Sequence, residues 1–409
     1  MQLPTLKSID VKNKTVLVRL DLNVPMQAGR VTDDARLKRT LPTLQYLIAE
    51  HAKVVILSHF GRPEGKVDLS MSLAPLVNIL SEALWDRPVG FSPDCIGNTA
   101  KLAVENAKHG DVLLMENLRF HPQEEANDAD FAAKLASLGD VYVNDAFSCS
   151  HRAHASIVGL NAHIPSVAGL LMQEEVEALE SIFTNPKRPL AAVVGGSKVS
   201  SKLELLDNLA AKVDKLLIGG AMANTFLHAL GYSVGTSLCE TDMKATALRI
   251  IESAKKAGCE IVLPVDAVVA GKLKKHAASQ VVSIDAIPAD AMMLDMGPRS
   301  ILYMAQVLEQ CHTVVWNGPV GAFETAPFDA STVTLARMVA GLTRAGSVHS
   351  VAGGGDTVSA LSHAGLDKEF SYLSTAGGAF LEWLEGKELP GVAALMAGSG
   401  ESGIRKSGS

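Results

Sequence analysis

Gly353-Gly354-Gly355-Asp356-Thr357 lies between a strand-like run, Val348 to Ala352, and a helix-like one, Val358 to Leu361. Three glycines let a backbone approach a bulky anion, and the first amides of a following helix donate to phosphate oxygens. An aspartate placed there would repel phosphate unless a hard cation lay between them. The spacing therefore points to Mg²⁺ bridging a carboxylate and nucleotide phosphates. The alternative is a Gly-rich turn in which Asp356 caps the helix. A second segment, Leu190-Ala-Ala-Val-Val-Gly195-Gly196-Ser197-Lys198-Val-Ser-Ser-Lys202, repeats the pattern of apolar run, glycines and helix start. The helix is expected to bury Leu203, Leu206, Leu209 and Val213. Lys198 and Lys202, four apart, are expected on one face of its first turn. The helix dipole disfavours cations there, so an anion is required, and phosphate supplies it.

The first half of the chain carries a different set. Arg19-Leu20-Asp21-Leu22-Asn23-Val24-Pro25, Ser58-His59-Phe60-Gly61-Arg62-Pro63, Asn117-Leu118-Arg119-Phe120 and Asn144-Asp145-Ala146-Phe147 each follow a buried-type apolar run. His151-Arg152-Ala153-His154 comes next, and Arg36 is expected in the loop after the first strand. Arginines gathered at one sheet edge form a bidentate-donor cluster suited to phosphate and carboxylate. Cys149-Ser-His151-x-x-His154 has loosely zinc-like spacing, but Arg152 lies inside it and no fourth ligand follows. Anion donation or loop packing is the preferred reading of these histidines.

To hold these residues the chain must place strand ends side by side. Strand-length apolar runs alternate with helix-period segments: Thr15–Asp21, Lys53–Ser58, Asp111–Glu116 and Val141–Asn144 in the first half. In the second they are Leu190–Val194, Lys215–Ile218, Glu260–Val265, Thr313–Trp316, Ser347–Ala352 and Ser371–Ser374. Continuous Val/Ile/Leu runs separated by helices indicate α/β architecture, with parallel sheets covered on both faces and ligands beyond the carboxyl ends of strands. Met172, Val176, Leu179 and Phe183 repeat at helical spacing, so Leu170–Phe183 is expected as a helix joining two domains.

The 409 residues carry a formal charge of −7, with 47% hydrophobic, 20% charged and 5% aromatic residues. That composition excludes a nucleic-acid surface, and no run approaches the length of a membrane span. The N-terminus shows no apolar signal core, and five scattered cysteines, an odd number, read as reduced thiols in the cytoplasm. Asn13-Lys14-Thr15 matches a glycosylation sequon and is expected to be idle. No G-x-x-x-x-G-K-[ST] or His-Arg-Asp motif occurs, and no G-x-G-x-x-G follows a strand-like run, which argues against ordinary P-loop, Rossmann and protein-kinase readings.

Seven segments together resemble the phosphoglycerate kinase family over residues 3–396. They are Arg19-x-Asp21-x-Asn23-Val-Pro, His59-x-Gly61-Arg62-Pro, Glu116-Asn-x-Arg119-Phe, His151-Arg152-Ala-His154, Gly195-Gly-Ser-Lys198-Val-x-x-Lys202, Trp316-Asn317-Gly-Pro-x-Gly-x-Phe-Glu324 and Gly353-Gly-Gly-Asp356-Thr357. The resemblance implies a monomeric cytoplasmic enzyme of glycolysis, interconverting 1,3-bisphosphoglycerate plus MgADP with 3-phosphoglycerate plus MgATP. It implies two doubly wound, Rossmann-like parallel-sheet domains joined by a long helix, with the C-terminal segment returning to the N-terminal domain. Residues 1–169 would bind phosphoglycerate, 170–186 would be the interdomain helix and 187–376 would bind nucleotide. Residues 377–396 would be helices packing back toward the N-terminal domain, and 397–409 a flexible tail.

By the same resemblance, Asp21, Leu22, Asn23, Arg36, His59, Phe60, Gly61, Arg62, Arg119 and Arg152, supported by His151 and His154, would form the phosphoglycerate site. Gly195, Lys198, Lys202, Gly219, Asn317, Pro319, Glu324 and Gly353, Gly354, Gly355, Asp356 and Thr357 would form the nucleotide site. Glu324 would meet the ribose hydroxyls and Asp356 would hold the magnesium. Arg36, Lys198, Gly377 and Gly378 are the expected catalytic positions. One departure is visible: the family usually has a triple glycine where this chain has Ala376-Gly377-Gly378. A carboxylate acceptor is already ionised at neutral pH, so the chemistry asks for positioning, positive charge and closure of the domains, and no general base. Two other readings remain: a phosphotransferase of the same fold with a hydroxyl acceptor, and a non-catalytic ADP-binding protein.

Overall fold

A computed structural model describes residues 3–27, 30–184 and 186–401. The chain divides into two compact units, Met1–Glu177 with Glu388–Ser409, and Ala178–Lys387.

The first unit is built on a six-stranded sheet in the order Val89–Ser92, Val112–Met115, Lys53–Leu57, Thr15–Arg19, Val141–Asn144 and Ser166–Ala168. Every pairing in it is parallel. Alternate residues of one strand enter opposite cores. Val16 and Val18 pack with Leu37, Leu44 and Leu47, whereas Leu17 packs with Phe131, Leu135 and Tyr142. A strand buried on both faces has no polar face to show, which is why it reads as a continuous apolar run.

In the second unit the order is Glu260–Val262, Lys215–Ile218, Leu190–Val194, Thr313–Asn317, His349–Gly353 and Tyr372–Ser374, again parallel throughout. In each unit the winding reverses at one strand. Thr15–Arg19 has Lys53–Leu57 on one side and Val141–Asn144 on the other; Leu190–Val194 lies likewise between Lys215–Ile218 and Thr313–Asn317. Successive connections leave such a strand in opposite directions and open a crevice at its carboxyl end. Arg19 and Gly195 mark those two crevices.

The helix Leu170–Phe183 forms over the expected residues, burying Met172, Val176, Leu179 and Ile182; Phe183 is half-buried and stacks on Trp383 at 5.3 Å. Several elements differ from expectation. The edge strands Val89–Ser92 and Ser166–Ala168 were not foreseen, nor was a three-stranded antiparallel sheet of Asp266–Ala270, Ser279–Ser283 and Met292–Met296. The run Glu260–Val265 ends as a strand at Val262. Of the segment 377–396, the helix Gly377–Leu384 stays with the second unit, where the Leu384 carbonyl accepts from Asn208 Nδ2 at 2.5 Å. The return begins at Glu388, and the helix Pro390–Glu401 covers the start of the stretch expected as a flexible tail. Residues 402–409 lie outside the described residues.

Candidate active site

Arg19 closes its strand and is 1% exposed. Its Nε donates to Ser156 Oγ at 2.9 Å, Nη1 donates to the Leu20 carbonyl, and Nη2 lies 3.1 Å from His59 Nδ1. A guanidinium only donates, so Nδ1 accepts and the proton of the neutral ring sits on Nε2. Burial, then Arg19, Arg119, His154 and Arg152, hold His59 well below the ordinary histidine range. Burial, then Arg119, Arg19, Arg152 and His151, bring His154 down to about 4. Two neutral imidazoles among fixed guanidinium charges make a strongly positive crevice. The counter-charge beneath it is Glu124, fully buried, which accepts from Ser156 Oγ at 2.5 Å and Ser156 N at 2.9 Å. Burial raises its carboxyl, and Arg19 acts against that rise.

Arg36 sits in the first turn of the helix Ala35–Ala49, one step beyond the loop in which it was expected. Its Nη1 donates to Asp21 Oδ2 at 3.0 Å and to the Asn23 carbonyl at 3.1 Å. Asp21 also accepts from Ser148 Oγ and, at 3.1 Å, from Asn23 N. The carboxylate thus serves as scaffold. Asn23 Oδ1 accepts from Gly61 N at 3.1 Å, and Arg119 Nη1 donates to Gly61 O at 2.8 Å. Asn117 knits the same loop: Oδ1 accepts from Phe60 N at 3.2 Å, while Nδ2 donates to Phe60 O at 2.7 Å and Met71 O at 2.9 Å. Arg62 is exposed, Phe60 half-buried, and Arg152 donates to His151 Nε2 at 3.2 Å. Leu22 differs from the rest of its set, because its side chain is buried in the core and its backbone serves the loop, the N–H donating to Ser58 Oγ at 3.0 Å and the carbonyl accepting from Val24 N at 2.8 Å. The zinc-like spacing leads elsewhere. Cys149 groups with Asp21 and His59, and not with His151 and His154.

The second crevice centres on Lys202. Its Nζ donates to Gly195 O at 2.6 Å, Asn317 Oδ1 at 2.7 Å and Asn317 O at 3.4 Å. Burial brings its ammonium down to about 8, against the charge of Asp356. Asn317 Nδ2 donates to Gly353 O at 2.9 Å; Thr357 Oγ1 donates to the same carbonyl at 2.8 Å and accepts from Gly318 N at 2.7 Å. Two glycines are required by geometry. Gly354 has φ +101, and a Cβ on Gly195 would lie 1.8 Å from Pro319 O. Gly219 follows the neighbouring strand, its N–H donated to Val194 O at 3.0 Å.

Lys198 departs from expectation. The helix begins at Leu203 after a 3-10 turn, Ser200–Lys202, so Lys198 lies exposed in the preceding loop and shares no helix face with Lys202. Val213 is buried but beyond the end of that helix, at Ala210.

Beside this crevice is a cavity of about 640 Å³, a size usual for small-molecule sites. Ser197, Pro319, Glu324 and Asp356 line it, with Leu238, Val320 and Phe323 among its apolar walls. Leu238 and Val320 gave no signal in the sequence, since a cavity wall reads like core, whereas Phe323 stands in the motif that ends at Glu324. Asp356 is exposed in the first turn of the helix Gly355–His363. An accessible hard-oxygen donor at an anion-binding helix end fits Mg²⁺, which takes one or two carboxylates and keeps several waters. Gly377 adjoins, since a Cβ on it would lie 3.7 Å from Gly355 N; Gly378 is exposed. Ala376 has φ −92, a conformation any residue adopts, and donates its amide to Ser374 Oγ at 3.2 Å.

An arginine-rich crevice in one α/β unit and a caged lysine beside a glycine-lined cavity in the other define a phosphotransferase. A family model described as phosphoglycerate kinase matches residues 6–387. A phosphoglycerate kinase of Granulibacter bethesdensis is 57% identical over 397 residues, covering 97% of this chain and 100% of that protein. One of Xanthobacter autotrophicus is 59% identical over 391 residues, covering 96% and 98%. The structure of phosphoglycerate kinase from Coxiella burnetii matches with a TM-score of 0.90 and 43% identity, covering 97% of this chain and 99% of that one. The Pyrococcus horikoshii enzyme gives 0.82 and 31%, with the same coverage. The chain belongs to the phosphoglycerate kinase family. Among the described residues no helix is long and apolar enough to cross a membrane.

Proposed function

We infer that this protein transfers a phosphoryl group reversibly between 1,3-bisphosphoglycerate and MgADP, giving 3-phosphoglycerate and MgATP. The Lys202 cage carries the reading: a part-buried ammonium, held by Gly195 and Asn317 oxygens beside the cavity that Gly196 and Pro319 line, is a ready partner for an anion. The first unit takes the phosphoglycerate, through Arg36, Arg62, Arg119 and Arg152, with neutral His59 and His154 as donors. The second takes the nucleotide, with Glu324 toward the ribose and Asp356 toward the metal. Mg²⁺ bound at Asp356 supplies charge neutralisation at the nucleotide phosphates.

The acceptor is a carboxylate, so no side chain has to remove a proton. Asp21 agrees with that, being engaged by Arg36 and Ser148 as a positioning group. Arg36, Lys198 and the amides at Gly377 and Gly378 are assigned to the transferring group. The exposed Lys198 has the freedom to approach it, whereas Lys202 is fixed. The protein works as a cytoplasmic monomer. A coupled assay for ATP formation from 1,3-bisphosphoglycerate and ADP tests the whole: turnover is expected, and nucleotide binding without turnover would leave an ADP-binding protein.

A further inference from the structure

Asp94 and Cys95 follow the strand Val89–Ser92, and His121 follows the turn Leu118–Phe120. One ligand atom from each of the three lies within 4.8 Å of the other two. His121 Nε2 is 2.9 Å from Asp94 Oδ1, and the ring packs 5.3 Å from that of Phe131. The Asp94 carboxylate is fixed by the amides of Cys95 at 2.7 Å and Ile96 at 3.3 Å. Cys95 is 1% exposed, while the side chains of Asp94 and His121 are 40% and 27% exposed. A thiol on the inner side and two harder donors toward solvent leave an approach for an ion and a place for water.

We propose that Asp94, Cys95 and His121 bind a thiophilic divalent cation of the zinc class, at a site separate from that of magnesium. Sulfur, imidazole nitrogen and carboxylate oxygen are the donors such an ion takes; ligands about 2.0–2.3 Å from a tetrahedral centre lie under ~4 Å from one another, so donors now within 4.8 Å would draw in by up to roughly 1 Å on binding. The local charge agrees, since the carboxylates of Glu124 and Glu116 act on this group as well as that of Asp94. The other three-donor group, Asp21, His59 and Cys149, lies among Arg19, Arg119 and Arg152, which repel a cation. On binding, the Cys95 S–H gives its proton to solvent as the sulfur–metal bond forms, and the metal replaces the hydrogen bond between His121 and Asp94. The ion would tie together two loops, one of which carries Arg119.

The test is a Co²⁺ titration of the chelator-stripped full-length protein in excess Mg²⁺, which competes poorly for a thiolate. A near-ultraviolet thiolate-to-cobalt band is expected, saturating at a single ion per chain and displaced by Zn²⁺. Cys95→Ser should abolish the band and Cys149→Ser should preserve it. His121→Gln should weaken Co²⁺ about tenfold or more, since loss of even an outer-sphere partner costs that much. Circular dichroism checks that each variant is folded. Absence of a band in the parent protein at millimolar cobalt, or its persistence in Cys95→Ser, overturns the proposal. Should Cys95→Ser fail to fold, unchanged cobalt affinity in His121→Gln overturns it.

Discussion

Arg36 meets Asp21 and Asn23 through one nitrogen, Nη1, of its planar fork. Lysine at this position keeps the charge and loses the second donor. Arg36→Lys is expected to lower kcat by about 10²-fold or more, through an interaction realised in the transition state. A rise confined to KM for phosphoglycerate would reassign Arg36 to binding. Asp356 differs in kind, since an exposed carboxylate among amides proposed to meet phosphate would help only through a cation. Asp356→Asn should weaken MgADP far more than metal-free ADP in parallel titrations; equal losses would remove the metal from its role. At this scale the sequence was informative where chemistry sits at strand ends, as with Arg19, Asn117 and Asn317. It misled at Lys198, where four-residue spacing suggested a shared helix turn that the 3-10 segment interrupts. Ser148, Ser156 and Glu124 went unread because their part is to hold other side chains.

Among the elements, the helix Leu170–Phe183 shows how a packing need bends a titration. Asp145 is fully buried at its start, with Oδ1 accepting from Met172 N at 3.0 Å. Burial raises its carboxyl from 3.8 to about 6, against the hydrogen bonds that favour the anion. A raised carboxylate pKa means that the folded state binds the proton more tightly than the unfolded one. Stability is therefore lost as pH rises from about 4 to about 6, by roughly 3 kcal/mol at one pKa unit per 1.36 kcal/mol. Asp145→Asn keeps the acceptor and removes the titration. It should be more stable than the parent at pH 7 in urea unfolding, with the advantage closing toward pH 4; an equal loss at both pH values would show that the carboxylate itself is needed. The parallel sheets were legible because strands covered on both faces must be apolar. The antiparallel sheet was not, since Ser279–Ser283 is largely exposed and reads Ser-Gln-Val-Val-Ser, and Met292–Met296 includes the buried Asp295. That aspartate is held by Ser331 N at 3.0 Å, a partner thirty-six positions away that no local pattern announces.

For the whole molecule, each anion crevice is formed within its own unit, yet in-line transfer needs donor and acceptor oxygens within covalent reach. Small-angle scattering should show a smaller radius of gyration with both substrates bound than with either alone. An unchanged radius would argue for a preformed site. The two-unit plan was readable from two sets of strand-end motifs. The return of the chain was harder to place, because Gly377–Leu384 and Pro390–Glu401 are both short apolar helices and only their packing assigns them to different units.

That return bears on how the protein is made. The second unit is one uninterrupted stretch, Ala178–Lys387, while the first is closed by residues that the ribosome delivers only after that stretch. The closing helix is seated tightly: Gly391 N donates to Ser150 O at 2.9 Å, and a Cβ on Gly391 would lie 2.9 Å from Ser150 Cα. During synthesis the leading unit must therefore wait, with part of its core uncovered, while the trailing unit has its full sequence and can fold first. A chain ending at Lys387 should keep its affinity for ADP and lose the cooperative melting of the leading unit. Equal damage to both would mean that the order of emergence from the ribosome leaves no mark on this fold.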